Sequence, residues 1–175
     1  MLTAHEISGR VLFEEEQRFP KWLMLLLIGV RLLVLVGMFL LAIFIEQEKS
    51  EALLGLAIAV PIQLAVIYLF LNSELKLAVT SNGFYYRWKP IHKKFRVIEK
   101  EMIERVEVRR GPVLNYGFGW FPGHGRFYNT HQGPGLQLRL RNGRRLFFST
   151  KDPGSLHSAV NQMISANNKT EVREF

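Results

Sequence analysis

The sequence contains no cysteine in its 175 residues. That excludes disulfide scaffolds, thiolate-bound zinc, iron–sulfur sites and thiol catalysis. Acidic side chains are missing where they would matter most. Trp22–Ile45 is apolar except for Arg31, and Ala52–Leu71 carries no charge at all. Neither a GxGxxG fingerprint nor a P-loop occurs. Ser149, Ser155 and His157 lie close in sequence, but no Gly-rich nucleophile turn precedes either serine. His124 and His131 have no Asp or Glu beside them to complete a metal site. The expectation is therefore a chain with no cofactor, no metal and no enzymatic activity. The net charge of +8 would suit nucleic acid, but a membrane surface accounts for it equally well, and no nucleic-acid partner is expected.

What the chain does have is two long apolar runs. A run of about 18 or more apolar residues reads as a membrane span. The runs 22–45 and 52–71 are separated by six residues, so they read as a transmembrane hairpin. They are not targeting signals, because the first follows Glu14-Glu15-Glu16 rather than a basic start and is 24 residues long. Lys and Arg mark the cytoplasmic side. Arg10, Arg18 and Lys21 precede the hairpin, and Lys76, Arg87, Lys89, Lys93, Lys94 and Arg96 follow it. The loop Glu46–Glu51 holds one lysine. Both termini are expected in the cytoplasm and the acidic loop outside, with 1–21 a cytoplasmic N-terminal segment. Residues 72–175 carry 18 basic and 8 acidic groups, so the positive charge belongs to the C-terminal part.

From Leu75 the hydrophobic period shortens to two. Leu75–Val79 and Phe84–Trp88 flank Asn82-Gly83, and Leu136–Leu140 and Arg145–Ser149 flank Asn142-Gly143. Asn-Gly between two such runs predicts a hairpin with a type I′ turn, which needs positive φ at both central residues. Phe95–Ile98, Arg105–Arg110 and Arg126–Thr130 are further strand candidates. Asp152 is a candidate N-cap with Pro153 at the first helical position. Leu156, Ala159, Val160, Met163 and Ile164 then recur at helical spacing and form one apolar stripe. Asn167 onward reads as a frayed polar tail. The expected fold is α+β: the hairpin, then at 72–167 five to seven antiparallel strands bent into a barrel and capped by a C-terminal helix, with a polar tail at 168–175.

Two spans followed by this pattern resemble a family of uncharacterised bacterial membrane proteins that carry a pleckstrin-homology-like (PH-like) domain. The resemblance rests on Phe13–Phe19 before the first span, Ser81–Trp88, Gly125–Tyr128, Gly135–Leu138, and Gly143–Leu146 leading to the helix start at Lys151–Pro153. It implies a location in the bacterial inner membrane and a domain that binds lipid, peptide or protein without catalysis. Fold alone does not choose among these.

Three constellations are candidates for binding. Arg87, Lys89, Lys93, Lys94 and Arg96 lie within ten residues that contain no acid. The first strand starts three residues after the second span, a reach of at most ~10 Å. The second strand should therefore return this basic segment to the headgroups, where each Lys or Arg gains about 1 kcal/mol from anionic lipid. Arg31 lies ~13 Å inside the first span, and an intramembrane charge is a functional candidate by default. Its options are Gln63, Tyr68, a lipid phosphate reached by snorkelling, or a carboxylate on another subunit. Pro61 should kink the second span, and Gly55 and Ala59 offer a small face for packing against the first. Finally, 111–135 holds seven Gly, three Pro and six aromatics. It is either a mobile loop whose Tyr116, Phe118, Trp120 and Phe121 meet a partner, or a bent strand with its aromatics in the core. The leading expectation is a protein-interaction module, a scaffold or accessory subunit of a membrane assembly or a homo-oligomer. The alternative is a module responding to anionic lipid.

Overall fold

The computed structural model describes residues 7–44, 49–111 and 116–171, and only the backbone at 42, 49, 52 and 166–171. The chain divides into two units, Phe19–Ser73 and the remainder.

The first unit is a pair of helices. α1 spans Lys21–Phe44 and α2 spans Lys49–Leu71. At 1.5 Å per residue each is ~35 Å long, and both are long and apolar enough to cross a membrane. Their large side chains point outward on all sides, with Leu33 74% and Phe44 78% exposed. A helix that is apolar all round is built for an apolar surrounding. Pro61 lies inside α2, which continues as a helix through it. A Cβ added at Gly55 would meet nothing within 4 Å among the described residues, and Gly55 and Ala59 are both half-buried. Of the expected acidic loop, Glu46 and Glu48 lie outside the described residues.

The second unit contains two sheets. β1 (Val11–Arg18), β2 (Glu74–Thr80), β3 (Gly83–Lys89) and β4 (Arg96–Glu99) form one antiparallel sheet in chain order. A 3₁₀ turn at Lys100–Met102 leads to β5 (Ile103–Arg110), β6 (Gly117–Phe121), β7 (Gly125–Asn129), β8 (Pro134–Leu140) and β9 (Arg145–Ser149). These form the second sheet in the order β5-β8-β9-β7-β6. Two expectations are corrected here. The sheets do not close into a barrel, and the second is mixed, because β7 pairs with β9 in parallel. The tight β8–β9 hairpin inserts between β5 and β7, which sets β9 beside an earlier strand running the same way.

Both expected hairpins form, with turns other than type I′. Gly83 does not have positive φ. It lies in β3, where a Cβ would sit 3.0 Å from the Ile98 carbonyl oxygen of β4. The Thr80 hydroxyl accepts from the Asn82 amide instead, at 3.1 Å. At the other hairpin Leu140 accepts from the Gly143 amide and donates to the Arg144 carbonyl, enclosing the three residues Arg141–Gly143. Gly143 takes φ +77°, as the glycine of a three-residue hairpin does.

The core is aromatic. Phe84, Tyr86 and Trp88 alternate along one face of β3 and meet Phe148 of β9 and Tyr128 of β7. Tyr128 and Phe148 stack at 5.2 Å. Burial, then the neighbouring Tyr86, pushes the Tyr128 hydroxyl up to about 12. α3 (Pro153–Glu171) buries Leu156, Ala159, Val160 and Met163 against β1, β2, β5 and β8, so it packs on strands of both sheets. Its helical backbone runs past Asn167, where the reading placed a frayed tail. Asp152 caps it, accepting from the Ser155 amide at 2.9 Å and hydroxyl at 2.6 Å, and these bonds hold its carboxyl below the usual range.

β1 is the element that the sequence reading left unassigned. Strand alternation splits Glu14-Glu15-Glu16. Glu15 turns toward the start of α3 and accepts from the Thr150 hydroxyl and the Lys151 amide. Gln17 is fully buried, donates to the Ser149 carbonyl at 2.8 Å, and accepts from the Thr130 and Ser149 hydroxyls. A buried amide with both ends satisfied fixes β1 to the second sheet. On the other face Glu16 lies 2.6 Å from Lys76, which also pairs with Glu74. The Lys76 bond holds the Glu16 carboxyl down at about 2 and raises the Lys76 ammonium.

Candidate functional site

The Gly-rich segment is mostly two paired strands. Phe118 of β6 faces Tyr128 of β7, and Trp120 faces Arg126. The glycines between these aromatics let the ribbon bend closely; at Gly125 (φ +72°) a Cβ would collide with the Arg145 carbonyl. Trp88 ends near Phe118, their rings 6.1 Å apart. The turn after β3 adds Ile91 and His92, and β4 opens with Arg96. These side chains enclose a groove of about 440 Å³, floored by Trp88 and Tyr128 and walled by Phe118, Trp120, Arg96 and Arg126. A second cleft of about 380 Å³ shares Trp120 and Arg126 and adds Arg144 and Arg145. The Arg145 guanidinium is held by the Gly123 carbonyl at 3.2 Å. Among the described residues no acidic side chain lines either space.

Arg96 and Arg126 give the groove its charge, and His92 lines it beside Trp88. The His92 Nδ1 accepts from the Trp88 amide at 3.3 Å, which leaves the proton on Nε2. Burial, then the Arg96 and Arg126 cations, lower its pKa, so it is neutral at pH 7. The groove thus offers guanidinium donors and aromatic faces. This arrangement binds anions and planar or apolar groups.

The basic segment singled out by sequence is dispersed. The Arg87 guanidinium lies 4.4 Å above the Phe95 ring. Lys89 pairs with Glu74 at 3.6 Å. Arg96 belongs to the groove. Lys93 and Lys94 are exposed in the turn and make no ion pair among the described residues. Of the four aromatics, Phe118 and Trp120 line the groove; Tyr116 is half-buried before β6, and Phe121 packs its ring 5.8 Å from His124. Within the helical pair, Arg31 Nη1 donates to Gln63 Oε1 at 2.7 Å. Tyr68 is not part of that contact and is 62% exposed.

The remaining polar candidates have structural partners. His124 and His131 bond the Arg110 and Thr150 carbonyls. Ser149 belongs to the Gln17 network, Ser155 to the helix cap, and His157 meets Asn161. Among the described residues no three His, Asp or Glu side chains come together to hold a metal. Trp88, His92, Arg126, Arg144 and Arg145 were not recognised from sequence as one site. The signal was Phe118-Gly-Trp120 opposite Arg126-Phe-Tyr128, two alternating pairs whose register becomes visible only once the strands are paired. No family model, curated protein or solved structure matches the chain.

Proposed function

We propose that the chain is a two-span protein of a bacterial inner membrane, presenting a PH-like, non-catalytic interaction module on the cytoplasmic side as a scaffold or accessory subunit of a membrane assembly. One observation carries this reading: the helical pair is inserted between two strands that pair with each other. β1 and β2 run antiparallel from Val11↔Thr80 to Arg18↔Glu74. A single crossing would part those strands, and an open sheet cannot pass through hydrocarbon. Both helices crossing together keeps residues 11–18 and 74–80 on one side. The basic flanks support the cytoplasm as that side. Two sheets with a C-terminal helix packed on strands of both support the PH-like reading.

The groove is the binding surface of this module. A photo-crosslinking residue placed at Trp120 in living cells yields a discrete adduct with a partner protein, and the same residue at Asn161 on the exposed side of α3 does not. Absence of an adduct at 120 contradicts the reading.

A second reading, contact with anionic lipid, is favoured by Lys93 and Lys94. Lys89 stands opposite Glu74, the residue at which the chain re-enters the sheet. In this second reading the turn that follows Lys89 meets anionic headgroups, where two exposed lysines gain about 1 kcal/mol each. In nanodiscs, phosphatidylglycerol slows amide exchange at 90–96 in the native chain but not in Lys93→Gln/Lys94→Gln. Identical exchange with and without the anionic lipid removes this reading.

A further inference from the structure

Taking the groove to be the binding surface just proposed, we infer that its partner is an extended acidic peptide, laid along β6 as an added strand. β6 is the last strand of its sheet and, among the described residues, pairs with β7 alone. A flat, apolar, uncovered strand edge invites another strand, and folded proteins otherwise blunt such edges with charge or proline. The edge of β6 has neither: its sequence is Gly117-Phe118-Gly119-Trp120-Phe121, with Phe118 52% and Trp120 71% exposed.

Charge complementarity selects the sequence that docks there. Arg96 and Arg126 line the groove beside Trp120. Guanidinium groups recognise carboxylates through paired hydrogen bonds. A pair of guanidiniums beside an exposed indole suits a chain that presents an acid and an apolar side chain to the same face. In an extended strand, alternate side chains point to the same face. Main-chain hydrogen bonds to β6 supply affinity and the alternate side chains supply selectivity. An acyl chain fits less well, because the Arg96 and Arg126 cations line the groove.

The test uses the full chain in phosphatidylcholine nanodiscs, panned with a displayed library of random short peptides. Arg96→Gln/Arg126→Gln chain serves as the counter-selection. Enriched peptides carry Asp or Glu two residues from an apolar residue, the spacing that puts both on one face of a strand. Synthetic versions bind the native chain and lose about tenfold or more in affinity on Arg126→Gln, on Trp120→Ser, or when a peptide Glu becomes Gln. Proline at the centre of the peptide abolishes binding, which separates strand addition from charge attraction alone. Since Trp120 is exposed, Trp120→Ser tests the groove without disturbing the core. A consensus without acids, an acidic consensus indifferent to the arginine variants, or tolerance of the central proline overturns the inference. So does displacement of every enriched peptide by phosphatidylglycerol vesicles that leave the Trp120→Ser chain unaffected, since that outcome makes the groove a lipid site. If the crosslink at 120 forms but no acidic consensus emerges, the interaction module stands and the acidic strand falls. If neither appears, both fall.

Discussion

The two units of this chain solve burial in opposite ways. In the sheet unit Leu75, Leu77, Phe84, Leu136, Leu138 and Phe148 are completely enclosed, and the buried Gln17 has both ends of its amide satisfied. That unit makes its own interior. In the helical unit the largest apolar side chains face outward, and Arg31 bonds Gln63 between the helices. The helical unit takes its apolar surroundings from outside, and the proposed bilayer supplies them. The junctions between the two units are short: Arg18 ends β1 and Lys21 begins α1, and Leu71 ends α2 and Glu74 begins β2.

The contrast predicts different responses to similar substitutions. Within the sheet unit, Leu156→Ala removes a fully buried side chain from α3 and costs about 2–5 kcal/mol. It is read as a lowered unfolding midpoint by tryptophan fluorescence in detergent. Leu33→Ala, on an outward-facing helix position, leaves that midpoint unchanged. An equal loss at both positions would break the distinction. Gln17→Leu removes the acceptor shared by the Thr130 and Ser149 hydroxyls and a donor to the Ser149 carbonyl, and costs about 1–3 kcal/mol. Gln17→Glu is worse, because it buries a charge.

The helical unit is probed at Arg31. A charge at mid-span costs about 2.5–3.5 kcal/mol on insertion scales, so Arg31→Leu inserts at least as well as the native chain. It leaves Gln63 without its partner and weakens pairing of α1 with α2 by about 0.6–2 kcal/mol. Disulfide trapping between engineered cysteines on the two helices measures this against the cysteine-free background. If Arg31 is instead held by lipid phosphate, Arg31→Lys and Arg31→Leu trap as efficiently as the native chain.

The smallest expected effects come from titration. The Glu16 carboxyl is held at about 2, below its value of 4.5 in the unfolded chain. Its contribution is full above 4.5 and is lost as pH falls from there toward 2. His92 has a lowered pKa. Its contribution is full above the unfolded value of 6.5 and declines as pH falls below it, since the unfolded imidazole then takes the proton first. His92→Gln therefore flattens the stability profile just below pH 6.5, and Glu16→Gln flattens it below 4.5. A profile unchanged by either substitution contradicts the assigned environments.

Much of the sheet unit was legible because period-2 alternation survives in β2, β3, β8 and β9, and the helix stripe in α3. β1 was not, because three consecutive glutamates hide its alternation; only pairing shows that Glu15 and Gln17 turn one way and Glu16 the other. β6 was obscured by glycine, which carries no strand signal of its own. The parallel β7–β9 pairing is non-local, so no turn residue announces it. The same holds for the groove. Trp88, Arg96, Trp120, Arg126 and Arg145 come from separate strands and meet only after both sheets have formed. The lysine-rich turn was visible as composition, but Arg87 and Lys89 turned out to be occupied by Phe95 and Glu74.

The central claim is that two apolar helices cross a membrane as a pair and leave β1 and β2 on the same side. Because the chain has no native cysteine, one introduced thiol reports its own position. Arg10→Cys, Ser50→Cys and Asn161→Cys are each exposed to an impermeant maleimide applied to intact cells, and again after permeabilisation. The account predicts that Ser50→Cys reacts in intact cells, and that Arg10→Cys and Asn161→Cys react only after permeabilisation. Reaction of Arg10→Cys from outside while Asn161→Cys stays protected would place paired strands on opposite sides of the bilayer and contradict it.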